Sequence, residues 1–267
     1  MTLGAILLLL GAGALAGLLG GLFGIGGGVV VVPALYAVLT AMDVPEDSRI
    51  KLAIGTSLAT IVITSARSLR AHLRTGRVDT DLLRRWAPFI AGGAVAGAAL
   101  ARVAPPDGLT LFLAFGLLMI GVQRLFAGKG ARAGGTLPGA ILQRVLAMAT
   151  GTASSLMGIG GGVFGVLLLT WFGRPVHVAV ATAAGFGLAI AVPGTLGFVV
   201  LGQGADAPPF TLGYVYGPGM VLVAGVSALT APLGARAAHA LPAPVLTRGF
   251  ALYLLATGVL LTREALG

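Results

Sequence analysis

Three stretches of this chain, residues 1–42, 109–126 and 176–203, run near or beyond the ~20 apolar residues that carry a helix across a bilayer's hydrocarbon core. Water cannot be the main solvent of such a chain. A spanning β-barrel would alternate polar and apolar residues over ~10-residue segments, whereas these runs are apolar almost throughout. The expected fold is therefore an all-α polytopic membrane protein. Only 9% of the residues are charged, against roughly 25% in soluble domains. Residues 1–17 lack the positive n-region of a signal peptide, so they read as the first membrane element and not as a cleaved leader.

The remaining polar content excludes several function classes. With no cysteine and three histidines, the chain has no thiolate metal site, no thiol nucleophile and no disulfide framework. It has no His-x-x-His pair and no carboxylate beside a buried nucleophile, so neither an enzyme nor a resident metal or cofactor is expected. The 17 Lys and Arg exceed the 8 Asp and Glu, but they are spread between apolar runs. That placement fits membrane orientation and not a nucleic-acid surface.

A duplication organises the chain. Gly24-Ile25-Gly26-Gly27-Gly28 returns as Gly158-Ile159-Gly160-Gly161-Gly162, each followed by a short apolar run. Further on, Lys51-Leu52-Ala53-Ile54-Gly55-Thr56 parallels His177-Val178-Ala179-Val180-Ala181-Thr182, and the longer first-half spacing is absorbed by the polar turn at Asp43-Val44-Pro45-Glu46-Asp47. Internal repeats mark many transporter folds. The expected organisation is an N-terminal repeat at 1–127, a cytoplasmic linker at 128–136 and a C-terminal repeat at 137–267.

The pattern predicts helices over 3–23, 29–40, 48–70, 82–103 and 108–127 in the first repeat. In the second it predicts 137–157, 163–172, 176–201, 212–239 and 244–263. Residues 29–40 would span only about 18 Å at 1.5 Å per residue, so each glycine-broken hairpin is expected to enter and return, leaving three full crossings per repeat. Arg67, Arg70, Arg74, Arg77, Arg84 and Arg85, and Arg124 with Lys129 and Arg132, then fall on the cytoplasmic side. An odd number of crossings inverts the second repeat, although a parallel arrangement also satisfies the apolar pattern.

Three consecutive glycines cost about 1 kcal/mol each in a helix relative to alanine, and unpaired backbone is not tolerated against lipid. A helix restarting after Gly26, Gly27 and Gly28, or after Gly160, Gly161 and Gly162, would aim free N–H groups and a positive dipole end at the break. That makes an anion site without a charged side chain; the plainer reading is that the glycines only permit close helix packing. Thr56, Ser57, Thr182 and the Ser154–Ser155 pair supply hydroxyls near the breaks, while Lys51 and His177 open corresponding helices and would draw an anion towards the vestibule. Leucine at Gly27 or Gly161 is expected to abolish binding while insertion survives.

With Gly24-Ile25-Gly26-Gly27-Gly28 and Ala53-Ile54-Gly55-Thr56-Ser57 in one half and Gly158 to Gly162 in the other, the chain resembles the sulfite and organosulfonate exporter family, TauE/SafE. The second half keeps only Thr182 of the Ala-x-Gly-Thr-Ser segment. The resemblance implies a secondary transporter, usually an exporter, of small sulfur-containing anions across the bacterial inner membrane. Its partners would be the anion, membrane lipid and, as a homodimer, a second copy. A passive anion channel and a non-transporting membrane subunit are the competing functions.

Overall fold

The protein, as a computed structural model, is described for residues 3–23, 27–126, 137–240 and 243–267. The linker expected at 128–136 lies outside the described residues. Ten helices follow one another among the described residues: α1 Leu3–Phe23, α2 Gly28–Ala41, α3 Glu46–Arg74, α4 Thr80–Val103, α5 Pro106–Phe126, α6 Ala140–Met157, α7 Gly162–Trp171, α8 Val176–Leu201, α9 Gly217–Ala240 and α10 Ala243–Leu266. Seven of them, all except α2, α6 and α7, are long and apolar enough to cross a membrane. The chain is thus an all-α polytopic membrane protein.

Most helix ends fall within a few residues of the sequence expectation, because the breakers are explicit. Pro45 precedes α3, whose first turn carries Glu46 and Asp47 and whose last carries His72 and Arg74, complementing the helix dipole at both ends. Asp79 caps α4 by accepting the Leu82 N–H at 3.0 Å. One expectation needs correction. The pattern places a helix from 212, whereas a short antiparallel hairpin, β1 Thr211–Leu212 with β2 Val215–Tyr216, delays α9 to Gly217. Gly213 makes its turn at φ 58°, wedged against the Val199 carbonyl of α8.

Small residues govern the packing, as expected where lipid removes any hydrophobic drive between helices. Helix α1 lies along α9: Gly13 meets Val223, Gly17 meets Ser227, and Ser227 Oγ donates to the Gly13 carbonyl at 2.9 Å. Helix α6 lies along α4 in the same way. Gly93 meets Met148, Gly151 meets Ile90, and Thr152 Oγ1 donates to the Gly93 carbonyl at 3.0 Å. The other extensively packed long-range pairs are α3 with α8, α5 with α10 and α4 with α8.

These contacts also give direction. Gly55 meets Phe198, Leu58 meets Gly194 and Ser65 meets Gly187, so α3 and α8 are antiparallel. Leu118 meets Gly258 and Gly121 meets Leu255, so α5 and α10 are antiparallel too. In contrast α1 runs parallel to α9, and α4 parallel to α6, by the pairings above. Following these directions, every arginine and lysine on the described helices and their joining turns falls at one end of the bundle except Arg49, Lys51, Arg102 and Arg263. By the positive-inside rule that end is cytoplasmic. The opposite end carries Asp43, Glu46, Asp47, Asp107, Asp206 and Glu264.

Candidate functional site

The two glycine breaks meet near the centre of the bundle. Gly158 ends α6 at φ 63°, and Gly27 starts α2 at φ 76°, backbone positions that glycine takes without strain. A β-carbon on Gly28 would lie 2.6 Å from the Gly158 carbonyl oxygen, so the tips are in direct contact. Their depth follows from their neighbours. Gly158 packs on Ile54 and Gly160 on Ile61, either side of the middle of the 29-residue α3. Gly161 packs on Phe186 and Gly187, near the middle of the 26-residue α8. Gly24, Ile25 and Gly26 lie outside the described residues.

From this level a cavity of about 620 Å³ extends along the cytoplasmic half of the bundle. Gly160 and Gly162 form its inner end, so the first turn of α7, closed by the Gly165 N–H on the Gly161 carbonyl at 2.8 Å, points its N-terminus into it. Thr60, Thr64 and Ser68 line one wall at four-residue spacing, with Ser65 and Arg67 beside them and His72 towards the cytoplasmic end. Ala16, Gly17 and Gly20 of α1 and Ser227 of α9 line the opposite side. Among the described residues no carboxylate contributes to this lining. A dipole N-terminus, a guanidinium and several hydroxyls without a competing negative charge form an environment suited to an oxyanion.

The outer half of the same path is closed. Leu58 fills the space at Gly194, Ala98 that at Gly197, and the Tyr214 carbonyl that at Gly55. Phe198 and Tyr214 meet edge to face at 6.3 Å, and Tyr216 of β2 is buried. The conformation is inward-facing.

Of the residues singled out from the sequence, the cavity gathers Gly160 and Gly162, while Gly27 and Gly161 support its inner end. The others sit elsewhere. Ser57 Oγ donates to the Gly158 carbonyl at 2.8 Å, holding the end of α6. Lys51, 8% exposed, donates from Nζ to the Arg102 carbonyl at 3.2 Å at the outer end of α4. His177 is exposed at the start of α8. Ser155, like Ser154, is fully buried, and neither Oγ has a hydrogen-bond partner. Thr60, Thr64, Ser65, Ser68 and Ser227 went unread, although the period-four polar stripe on α3 was a visible signal of a wetted helix face.

The two matched threonines share a role that residue type alone did not disclose. Thr56 Oγ1 accepts the N–H of Tyr216, the residue before α9, at 2.9 Å. Thr182 Oγ1 accepts the N–H of Asp79, the residue before α4, also at 2.9 Å. One bond lies towards the outer end and the other towards the cytoplasmic end, where Asp79 also pairs with Arg174 at 3.1 Å. Replacing either hydroxyl with a methyl strands a backbone donor. Thr56→Val and Thr182→Val are therefore expected to lower stability by about 1–3 kcal/mol, seen as a fall in melting temperature in detergent; an unchanged melting temperature in both would remove the assignment.

The sequence matches the sulfite exporter TauE/SafE family over residues 9–261. It is similar to a probable membrane transporter protein of Haemophilus influenzae, 36% identical over 95% of this chain and 97% of that one. A probable membrane transporter protein of Methanocaldococcus jannaschii is 28% identical over 81% of this chain and 78% of its own length. Another from Bacillus subtilis is 28% identical over 64% and 70%. No solved structure matches the chain. A near full-length family match on a bundle of membrane-crossing helices around an inward-facing cavity establishes that the chain belongs to the TauE/SafE sulfite exporter family and is a multi-pass membrane transporter.

Proposed function

We propose that the protein exports small sulfur-containing anions, sulfite or organosulfonates, by alternating access. The carrying observation is the cytoplasm-facing cavity that ends on the N-terminus of α7 and contains Arg67 and five hydroxyl side chains but no carboxylate. An anion entering from the cytoplasm meets Arg67 and the Ser68 hydroxyl, then that of Ser65, and reaches the N–H groups at Gly160 to Gly162, while Thr60 and Thr64 already donate to the Ser57 and Ile61 carbonyls. The cavity volume accommodates an organosulfonate as well as a bare oxyanion.

Two features support an inverted-repeat mechanism. The order of long, short and three long helices occurs twice, and the helices that correspond, α3 with α8 and α5 with α10, pack antiparallel. A two-fold axis lying in the membrane plane relates such pairs, the plan on which rocking-type transporters are built. The closed outer half favours a carrier over an open pore. The lipid-facing exterior, where Leu3, Val103 and Leu229 are each more than 70% exposed, supplies the membrane contact and the surface on which a second copy would pack.

Titrating the detergent-purified protein with sulfite, an organosulfonate, sulfate and acetate while recording its melting temperature tests the substrate class. Ligand at a hundredfold excess over Kd adds about 2.7 kcal/mol to the folded state, a rise of several degrees for the sulfur anions. A rise with acetate equal to that with sulfite, or none with any sulfur anion, would count against the reading. In proteoliposomes the flux should saturate and show counterflow; flux linear in concentration would mark a channel.

A further inference from the structure

Buried in the outer, closed half are hydroxyls for which this conformation has no use. Ser154 and Ser155 are 0% exposed, and neither Oγ is hydrogen-bonded. Helical hydroxyls ordinarily bond the carbonyl four residues back, as Thr150 does to Leu146 at 2.7 Å on the same helix. Thr195 Oγ1, next to Gly194 on α8, is buried and unpaired as well.

The repeat says where they belong. Aligning the two glycine motifs sets Gly158 on Gly24, and therefore Ser154 on Gly20, Gly151 on Gly17 and Thr150 on Ala16. Ala16, Gly17 and Gly20 all line the inner cavity. Their counterparts occupy the equivalent place in the outer half, where α4, α6 and α8 are shut on one another. There a β-carbon on Gly97 would lie 2.9 Å from Ser155 Cβ, and one on Gly194 would lie 3.3 Å from Ser155 Oγ.

We propose that Ser154 and Ser155 are anion-contacting residues of an outward-facing vestibule between α4, α6 and α8. This rests on the alternating-access reading above and extends it to a second station for the same class of oxyanion. In the outward-facing state the serine hydroxyls donate to the oxygens of sulfite or a sulfonate. When the vestibule shuts they are sealed without partners, which is the state described here.

The chain contains no cysteine, so single thiols can be placed without background. In membrane vesicles of known orientation, Ser154→Cys is expected to react with a membrane-impermeant methanethiosulfonate reagent added outside, and Thr64→Cys with the same reagent added on the cytoplasmic side. Reaction of Ser154→Cys from the cytoplasmic side only, or from neither side, overturns the proposal. Independently, the double variant Ser154→Ala, Ser155→Ala should raise the half-saturating external sulfite concentration about tenfold to a hundredfold, the effect of two lost hydrogen bonds. Half-saturation from the cytoplasmic side and melting temperature should not worsen, because no bond is lost in the inward-facing state. A lower melting temperature, or equal changes on both sides, would mark the serines as structural. Failure of the unaltered protein to exchange sulfite or any sulfonate would instead strike the transport reading itself.

Discussion

Gly161→Ala should lower the melting temperature by roughly 10 °C, the larger of two effects expected at the second break. A β-carbon there would lie 2.7 Å from the Gly187 nitrogen and from the Phe186 carbonyl carbon. Those are backbone atoms of α8, so relief requires moving a helix. Overpacking of this kind costs about 3 kcal/mol, and in a chain of this size each kcal/mol moves the melting temperature by roughly 2–4 °C. The adjacent variant separates fold from function. At Gly160 the nearest atom to an added β-carbon is the Ile61 Cγ2 at 3.2 Å, the end of a side chain, and the residue lines the cavity. Gly160→Ala should therefore fold normally and weaken sulfite binding. Leucine at Gly161, expected from sequence to abolish binding, would meet the same α8 backbone, so its effect on binding has to be read beside its melting temperature. Equal stability losses at both positions would show that the close fit at Gly161 is not what distinguishes them.

Arg67→Gln is expected to weaken sulfite binding about tenfold to a hundredfold, the range of a charge-assisted hydrogen bond worth about 1.5–3 kcal/mol. Among the described residues Arg67 is the one guanidinium in the cavity lining. Arg67→Lys keeps the charge but loses the planar fork that grips an oxyanion with two N–H groups, so it should fall between the two. The checks are the sulfite dependence of the melting temperature and the half-saturating concentration in counterflow from the cytoplasmic side. An unchanged value in Arg67→Gln would confine Arg67 to membrane orientation, the role its neighbours Arg70 and Arg74 already fit.

The helix boundaries were legible because apolar length, prolines and glycines punctuate the chain directly: Pro45 and Pro175 precede α3 and α8, and the two glycine motifs separate α1 from α2 and α6 from α7. The hairpin before α9 was not legible, since Thr211 to Tyr216 is as apolar as a helix end and its form depends on Gly213 docking against α8. Site chemistry was legible in kind but not in address. Thr56 and Thr182 carry the right hydroxyls, yet each is consumed by a backbone N–H of the other half. Thr60, Thr64 and Ser68 line the cavity because residues of α1 and α9 form its opposite side. Which side of a buried helix meets protein and which meets a cavity is set by partners far along the chain, and a single sequence does not display them.

The pairing of α1 with α9 has a consequence for how the protein is made. Helix α1 leans on one that leaves the ribosome some two hundred residues after it, with Ser227 and Thr230 reaching back to the carbonyls of Gly13 and Ala14. Until then the Gly13 and Gly17 face of α1 lacks the helix it packs on, and small residues gain little against lipid. The first half of the chain is therefore no independent folding unit. A ribosome stalled after α8 would present a membrane intermediate in which α1 is still without its mate, open to capture by quality-control proteases.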